Sequence, residues 1–280
     1  MINLEKGLYI ISTPIGNLDD LSFRAKKVLD MVDFIICENP IHSLKLLNKL
    51  GIKKKLFSLH DYNEDVLIKR IEKYQNNSSI ALISDAGSPL ISDPGYNLVK
   101  DFIKKKLKIT TIPGPSSIIS ALQLSGLPIN SFEFHGFVPK NKSGIISLIA
   151  KIENLKTTSV FFISGNRLLI FLESLCEMKM GRDISICKEI TKKNEKVFRG
   201  NSVSLIEKLS EDINNFKGEF VIVIKGNISD SKKNLDKKTE EQIKKLLKKF
   251  SLTDVVEIVH KLSNISKKEI YNSALLLKND

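Results

Sequence analysis

The sequence predicts an α/β protein with two α/β domains and a small helical domain at the C-terminal end. Three observations carry this. Strand-like and helix-like segments alternate through the first half, the pattern of a mostly parallel sheet covered on both faces. A second series of strands and helices begins near Leu127-Pro-Ile-Asn130, and lysine-rich helical segments follow the polar stretch Gly226–Asn234. The expected domains are therefore 1–126, 127–228 and 229–280 within 280 residues, a length that suits two ordinary domains.

The elements follow in order. Leu8–Ile11 reads as a strand and leads into the loop Ser12-Thr-Pro-Ile-Gly-Asn17. Leu21, Ala25, Val28 and Leu29 recur at helical spacing and predict a helix over Leu21–Met31. Asp33–Cys37 is the next strand and ends at Glu38; a helix over Leu44–Leu50 then stops at Gly51. Lys55–Leu59 is a short strand, Asp65–Tyr74 a helix, and the wholly apolar Ile80–Ile83 a buried strand. It opens at once into Ser84-Asp-Ala-Gly-Ser-Pro-Leu-Ile-Ser-Asp-Pro-Gly95, a loop of small, acidic and turn-forming residues. Tyr96–Lys105 is helical, Lys108–Ile112 a strand, and Pro113-Gly-Pro-Ser-Ser117 turns into a helix through Ile118, Ala121 and Leu122.

In the second series the strands are Ser131–Phe134, Ser159–Ile163, Ile184–Cys187 and Glu219–Ile224, with helices over 145–155, 167–178 and 202–211. The tail carries helices over 237–250, 253–262 and 267–277, with Ser251 or Thr253 capping the second and Ser266 the third.

Composition narrows the function. With 42% apolar residues the chain builds real cores, yet no apolar run approaches the roughly 18 residues of a membrane helix. The start lacks a basic-then-apolar leader pattern. Cys37, Cys176 and Cys187 are odd in number and far apart, which reads as free thiols in a reducing cytoplasm. The formal charge of +12 comes almost wholly from Lys, and Lys, Asn and Ile are all plentiful, as coding bias also produces. A basic protein attracts polyanions such as RNA in either case. Residues 232–280 hold twelve Lys against seven acidic residues, readable as a solvated helix face or as a nucleic-acid contact.

No dinucleotide fingerprint, phosphate-binding P-loop, zinc-protease helix or hydrolase elbow occurs, and His42, His60, His135 and His260 lack metal-ligand spacing, so no metal site is expected. What remains is a set of small-residue loops at strand ends: 12–17, 84–95 and 113–117. Loops at the carboxyl ends of parallel strands converge, and there open α/β sheets bind ligands. Asp85 stands at such an exit; read by itself, it equally suits a surface turn.

Three of these segments carry a resemblance. Ser12-Thr-Pro-Ile-Gly-Asn-Leu18, the run Ser84–Tyr96, and Ile112-Pro-Gly-Pro-Ser-Ser117 resemble the tetrapyrrole-methylase-like superfamily, and within it the ribosomal branch. The likeness extends through Lys45–Asn48, His60-x-x-Asn63-Glu64, Ser125–Pro128, Gly136–Pro139, Lys188–Lys192, Phe198–Gly200 and Lys217–Glu219 into the tail. It implies two α/β domains of the tetrapyrrole methylase type with S-adenosylmethionine between them, a homodimer, and 2'-O-methylation of a cytidine in the decoding region of 16S rRNA of the small ribosomal subunit. Pro14, Ile15, Asp85, Ala86, Gly87, Ser88, Ile91, Ser116 and Ser117 are the expected cofactor-binding residues. Asp85 suits ribose hydroxyls or the sulfonium charge, Ser116 and Ser117 at a helix start suit a carboxylate, and Ile15 and Ile91 suit apolar parts of the ligand. Each has a plainer reading: Ser116 as a helix cap, Ile15 as core.

Methyl transfer to a ribose hydroxyl calls for alignment and for a base or charge stabiliser. Glu38, His60 and Glu64 are the candidates; alternatively Glu38 orients a neighbour, His60 is a loop histidine and Glu64 a helix cap. Arg24, Arg167, Lys188 and Arg199 are the candidates for RNA phosphate contacts.

The chain departs from the family chiefly at two places, with a third, milder difference. The family's Glu-Asp-Thr-Arg-His is Glu38-Asn-Pro-Ile-His42 here, and its Tyr-Glu-Ser-Pro-His-Arg is Phe162-Ile-Ser-Gly-Asn-Arg167. Ile41 replaces a guanidinium and takes over none of its electrostatic role. The Arg-rich stretch usual after Phe-x-Pro is milder, as Lys140-Asn-Lys142. The cofactor loops are intact and the acceptor side is altered. That leaves two other readings open: methylation of another acceptor, such as a tetrapyrrole-like small molecule, or a ribosome-binding relative with little or no catalysis.

Overall fold

Ser79–Ile83 (β4) is the middle strand of a five-stranded parallel sheet ordered β3-β2-β4-β1-β5, with β1 Gly7–Ile11, β2 Phe34–Cys37, β3 Lys55–Ser58 and β5 Ile109–Ile112. The computed structural model describes residues 4–60, 62–227, 237–263 and 265–279. β1, β2 and β4 are almost wholly buried because both faces of the sheet are covered, while the edge strands β3 and β5 carry Lys55, Ser58, Thr110 and Thr111. Ile35, Cys37, Ala81 and Ile83 point to one face and meet α1 Phe23–Met31 and α2 Pro40–Lys49 through Ala25, Val28, Leu29 and Leu47. Phe34, Ile36, Ile80 and Leu82 point to the other and meet α3 Glu64–Gln75 and α4 Tyr96–Lys104 through Leu67, Ile71, Leu98 and Phe102.

Helix bounds shift by up to four residues from expectation, most at the start of α2. α2 begins four residues before Leu44, because Asn39 Oδ1 accepts the N–H groups of Ile41 (3.0 Å) and His42 (3.3 Å), and Pro40 occupies the first turn. Such a cap satisfies donors a helix start leaves open, and Pro is preorganised there.

α5 Ser117–Ser125 follows β5 but packs on the second sheet: Ile118, Ala121 and Leu122 meet Val160, Cys187, Val221 and Val223. That sheet is ordered β6-β7-β10-β8-β9, with β6 Phe132–Phe137, β7 Thr158–Ser164, β8 Ile184–Lys188, β9 Lys196–Gly200 and β10 Glu219–Ile224. β6 and β7 are parallel and the remaining pairs antiparallel. The opposite face holds α6 Lys142–Ile152, α7 Gly165–Glu177 and α8 Ser202–Ser210 around Phe161, Phe171 and Ile222. β9 is a strand that the sequence pattern misses: at the sheet edge, half-buried and carrying Lys196 and Arg199, it lacks an apolar alternation.

The chain divides into two units, Met1–Gly226 with both sheets, and Asn227–Asp280. In the latter, α9 Lys237–Leu247, α10 Leu252–Leu262 and α11 Lys267–Asn279 close on Ile243, Val255, Val259, Ile270 and Ala274. Ser251 caps α10 by accepting the N–H of Asp254. From residue 228 on, the expected polar linker lies outside the described residues. Among the described residues no helix is long and apolar enough to cross a membrane.

Candidate active site

Three loops at the carboxyl ends of the parallel strands are tied into one wall. Thr13 and Gly87 exchange two backbone hydrogen bonds, Thr13 N–H to Gly87 O at 2.8 Å and Gly87 N–H to Thr13 O at 3.0 Å. The Thr13 hydroxyl donates to Ser84 O at 3.2 Å, and Ser12 and Ser88 hydroxyls lie 2.9 Å apart. Ser88 also donates to Pro115 O at 3.4 Å, which joins the 113–117 loop. Gly87 turns with φ +79°, and a Cβ there would press on Ile15 Cγ2 at 3.3 Å. Farther along, Leu90 (φ 75°) and Ser92 (φ 67°) hold left-handed backbone that residues other than glycine seldom adopt. Such strain concentrates at functional sites.

This wall faces the second sheet across a cleft of about 530 Å³, a size that suits a small-molecule ligand. Ile15, Glu38, the segment Asp85–Ser88, Ile91, Ser92, Asp93, Ser116 and Ser117 line one side. Phe162–Ser164, Ile190, Lys192 and Gly218–Val221 line the other. The two sides meet where Gly16 abuts Thr191 and Lys192, and Asn17 N–H donates to Thr191 Oγ1 at 3.2 Å.

Of the residues expected from sequence, Ile15, Glu38, Asp85, Ala86, Gly87, Ser88, Ile91, Ser116 and Ser117 all stand on this cleft; Pro14 does not line it. Ser116 also caps α5, its hydroxyl accepting the Ile119 N–H at 3.5 Å. Asp85 Oδ1 accepts the Asn39 N–H at 3.2 Å. His60 and Glu64 are not brought to the cleft. Glu64 is 6% exposed, and its carboxylate accepts the Leu98 N–H at 2.8 Å in the first turn of α4, a cap reached from a neighbouring helix. His60 is exposed, held by its backbone N–H to Asn63 Oδ1 at 2.8 Å.

The four RNA candidates are also scattered. Arg167 donates to Ser164 Oγ at 2.8 Å and to Val138 O. Lys188 is buried, with its amine on Asn214 O and 6.0 Å from the Phe220 ring. Arg199 donates to Ser125 O at 3.2 Å and to Leu124 O, the carbonyls that end α5. Arg24 is exposed on α1 beside a different groove.

Asp93 and Lys192 are among the cleft residues not singled out from sequence. Asp93, in the 84–95 loop, shares the cleft with Glu38 and Asp85. Burial, then the Glu38 carboxylate, push its carboxyl up to about 6; a Ser84 hydrogen bond opposes this, and Asp85 adds to it. Lys192 donates to Glu219 Oε2 at 2.7 Å and Glu189 Oε1 at 3.2 Å. Burial works against its charge, but these two carboxylates outweigh it and raise its pKa. Cys187, on the same cleft, has its thiol pushed up to about 11 by burial.

The cleft therefore offers the carboxylates of Glu38, Asp85 and Asp93, the Lys192–Glu219 ion pair, a helix N-terminus with two serines, and apolar surfaces from Ile15, Ile91 and Phe162. It suits a ligand that combines a positive centre, a carboxylate and a flat apolar ring.

Two α/β lobes enclosing such a cleft define the class of protein. A family model described as Tetrapyrrole (Corrin/Porphyrin) Methylases matches residues 7–206. The fold is shared with diphthine synthase (TM-score 0.60, 14% identity, 79% of this chain and 90% of that one) and with uroporphyrin-III-C-methyltransferase from Thermus thermophilus (TM-score 0.54, 17% identity, 79% and 94%). Two relatives named ribosomal RNA small subunit methyltransferase I are much nearer in sequence. That of Rickettsia prowazekii is 39% identical over 277 residues, covering 96% of each chain. That of Vibrio cholerae serotype O1 is 36% identical over 270 residues, covering 96% of this chain and 94% of the relative. The chain belongs to the tetrapyrrole methylase family, and within it to the family of ribosomal RNA small subunit methyltransferase I.

Proposed function

We propose that this protein transfers a methyl group from S-adenosylmethionine to the 2'-hydroxyl of a cytidine in the decoding region of 16S rRNA, and that it works as a homodimer. The observation that carries this is the meeting of Asp85, Asp93 and Glu38 with the N-terminus of α5 in one cleft of cofactor size, in a chain whose full-length relatives are named as methyltransferases of small-subunit ribosomal RNA.

When bound, S-adenosylmethionine supplies an electrophilic methyl group on a sulfonium centre. Asp85 and Glu38 give the cleft the negative potential that holds a cationic ligand. Ser116, Ser117 and the backbone N–H groups of α5 receive its carboxylate. Ile15, Ile91 and Phe162 cover its ring and exclude water. Asp93 accepts the proton of the ribose hydroxyl on its carboxylate; a base titrating near the working pH combines the right protonation state with useful proton affinity.

The test uses small ribosomal subunits from cells lacking this protein, with the purified chain and methyl-labelled cofactor. One 2'-O-methyl on one cytidine of 16S rRNA is expected. Cofactor binding with no transfer to subunits would sink the reading, and transfer to a tetrapyrrole alone would replace it.

A further inference from the structure

A second groove lies apart from the cleft, on the outer side of α1. Phe23, Arg24, Lys26, Lys27 and Asp30 line it from α1, and Leu50, Gly51 and Ile52 from the turn after α2, around about 670 Å³. It shares no residue with the cleft.

Phe23 is 93% exposed at the first position of a helix whose cap, Ser22 Oγ to Ala25 N–H, does not need an aromatic neighbour. It contributes nothing to the core beneath, which α1 meets through Ala25, Val28 and Leu29. Three cations share the groove with Phe23, and Asp30 is the one carboxylate lining it. Among the described residues no ion pair engages Arg24, Lys26 or Lys27. Lys49 and Lys53, next in sequence to Leu50 and Ile52, are both exposed, and the space above Gly51 is open.

An exposed aromatic face in a groove with cations outside any ion pair is the chemistry that holds unstacked nucleotides: the base stacks on the ring and the flanking phosphates meet the cations. Ile15 of the cleft and Phe23 are eight residues apart, so at most about 29 Å separates them, within reach of one strand.

We propose that this groove binds an unpaired nucleotide of the ribosomal RNA substrate, with its base on Phe23 and its phosphates at Arg24, Lys26 and Lys27. This rests on the reading of the cleft as an RNA methyltransferase site.

The test compares the wild type, Phe23→Ala and the pair Lys26→Gln/Lys27→Gln. Binding of a labelled single-stranded oligoribonucleotide and of small ribosomal subunits is measured by fluorescence anisotropy over a salt series, with a cofactor titration and light scattering alongside. Phe23→Ala is expected to weaken RNA binding about tenfold with the salt dependence retained. The lysine pair is expected to flatten the slope of log K against log salt by about 1.4, two lost phosphate contacts at about 0.7 each. Cofactor affinity stays as in the wild type, which reports an intact fold. Unchanged RNA affinity in both variants would overturn the proposal. A shift in mass for Phe23→Ala would also overturn it, by making the groove a contact between copies. A wild type that binds RNA through these residues but methylates no subunit leaves the groove standing and removes the reading of the cleft.

Discussion

The carboxylate of Asp85 holds the backbone of Asn39: Oδ1 accepts that N–H at 3.2 Å. Asn39 in turn caps α2 with its own side chain. The loop after β4 is thereby fastened to the segment after β2, where this chain departs from its family. The Asn at position 39 keeps the cap that an Asp also makes, since both side chains offer an oxygen to the first helical N–H groups. Ile41, by contrast, is 73% exposed and puts an apolar surface in place of a charge.

Asp85 therefore has a structural and a proposed ligand role, and two substitutions separate them. Asp85→Asn keeps an oxygen for the Asn39 N–H and removes the charge. We expect it to fold with an unchanged melting temperature and to weaken S-adenosylmethionine at least about tenfold, the scale of a lost charge-assisted interaction. Asp85→Ala loses both and abolishes binding. Calorimetric titration checks this; wild-type affinity in Asp85→Asn would remove Asp85 from the cofactor site.

Asp93 gives the reaction a pH signature. As a base it works deprotonated, so kcat rises through about pH 6 and levels above pH 7. Asp93→Asn is expected to lower kcat by about 10² or more while retaining cofactor binding. Glu38→Gln removes one of the charges that raise Asp93 and moves the acidic limb to lower pH. The stability sign follows from the same shift. With its folded pKa raised above the ordinary 3.8, native Asp93 binds more protons than the unfolded chain between about pH 4 and 6. Its cost to the fold thus grows over that window and is complete above it. Asp93→Asn should be more stable than the wild type at pH 7 and equal to it below pH 4. A flat kcat profile between pH 5 and 8 would exclude Asp93 as the base.

The parallel sheet and its ligand loops were legible because their signals are local: an apolar strand followed at once by Gly, Pro, Ser and Asp. The facing wall was legible only through the family resemblance, which put the altered segment 162–167 on the acceptor side. Phe162–Ser164, Lys192 and Gly218–Val221 reach the cleft only through strand pairing between distant segments. Asp93 stood in view within the 84–95 loop, but its burial beside Glu38 is tertiary. α5 reads as another cover for the first sheet because nothing in its apolar stripe says which sheet it meets. For Arg167, Lys188 and Arg199, charge alone did not reveal that backbone carbonyls inside the fold would take their donors. Arg24 stays at the surface.

The segment 162–167 holds a close backbone contact at Gly165. A Cβ built on Gly165 falls 1.8 Å from Phe216 O, so the backbone at the start of α7 and the turn before β10 touch directly. Any side chain there must push apart the two segments that supply Ser164 and Gly218 to the cleft. Gly165→Ala is expected to cost about 2 kcal/mol, roughly 6 °C in Tm for a unit of this size. It should also weaken the cofactor, because that wall of the cleft shifts. Differential scanning calorimetry reads the first and titration the second; a Tm within 1 °C or so of the wild type would deny the close contact.

The three cysteines separate by environment. Cys37 and Cys187 are buried with their thiols raised by burial, Cys187 to about 11, whereas Cys176 is partly exposed. The thiolate is the reacting form, so at pH 8 iodoacetamide should label Cys176 alone in the native protein. All three should react once the chain is unfolded in urea, as peptide mass spectrometry would show. A thiol kept protonated in the cleft also cannot serve as a nucleophile at neutral pH. Cys187→Ala, which removes weak sulfur contacts to Ala121 O at 3.8 Å and Ser185 Oγ at 3.9 Å and leaves a small gap in the core, should retain methyl transfer within about threefold. Rapid native labelling of Cys187, or loss of turnover in Cys187→Ala with cofactor still bound, would return that thiol to the chemistry.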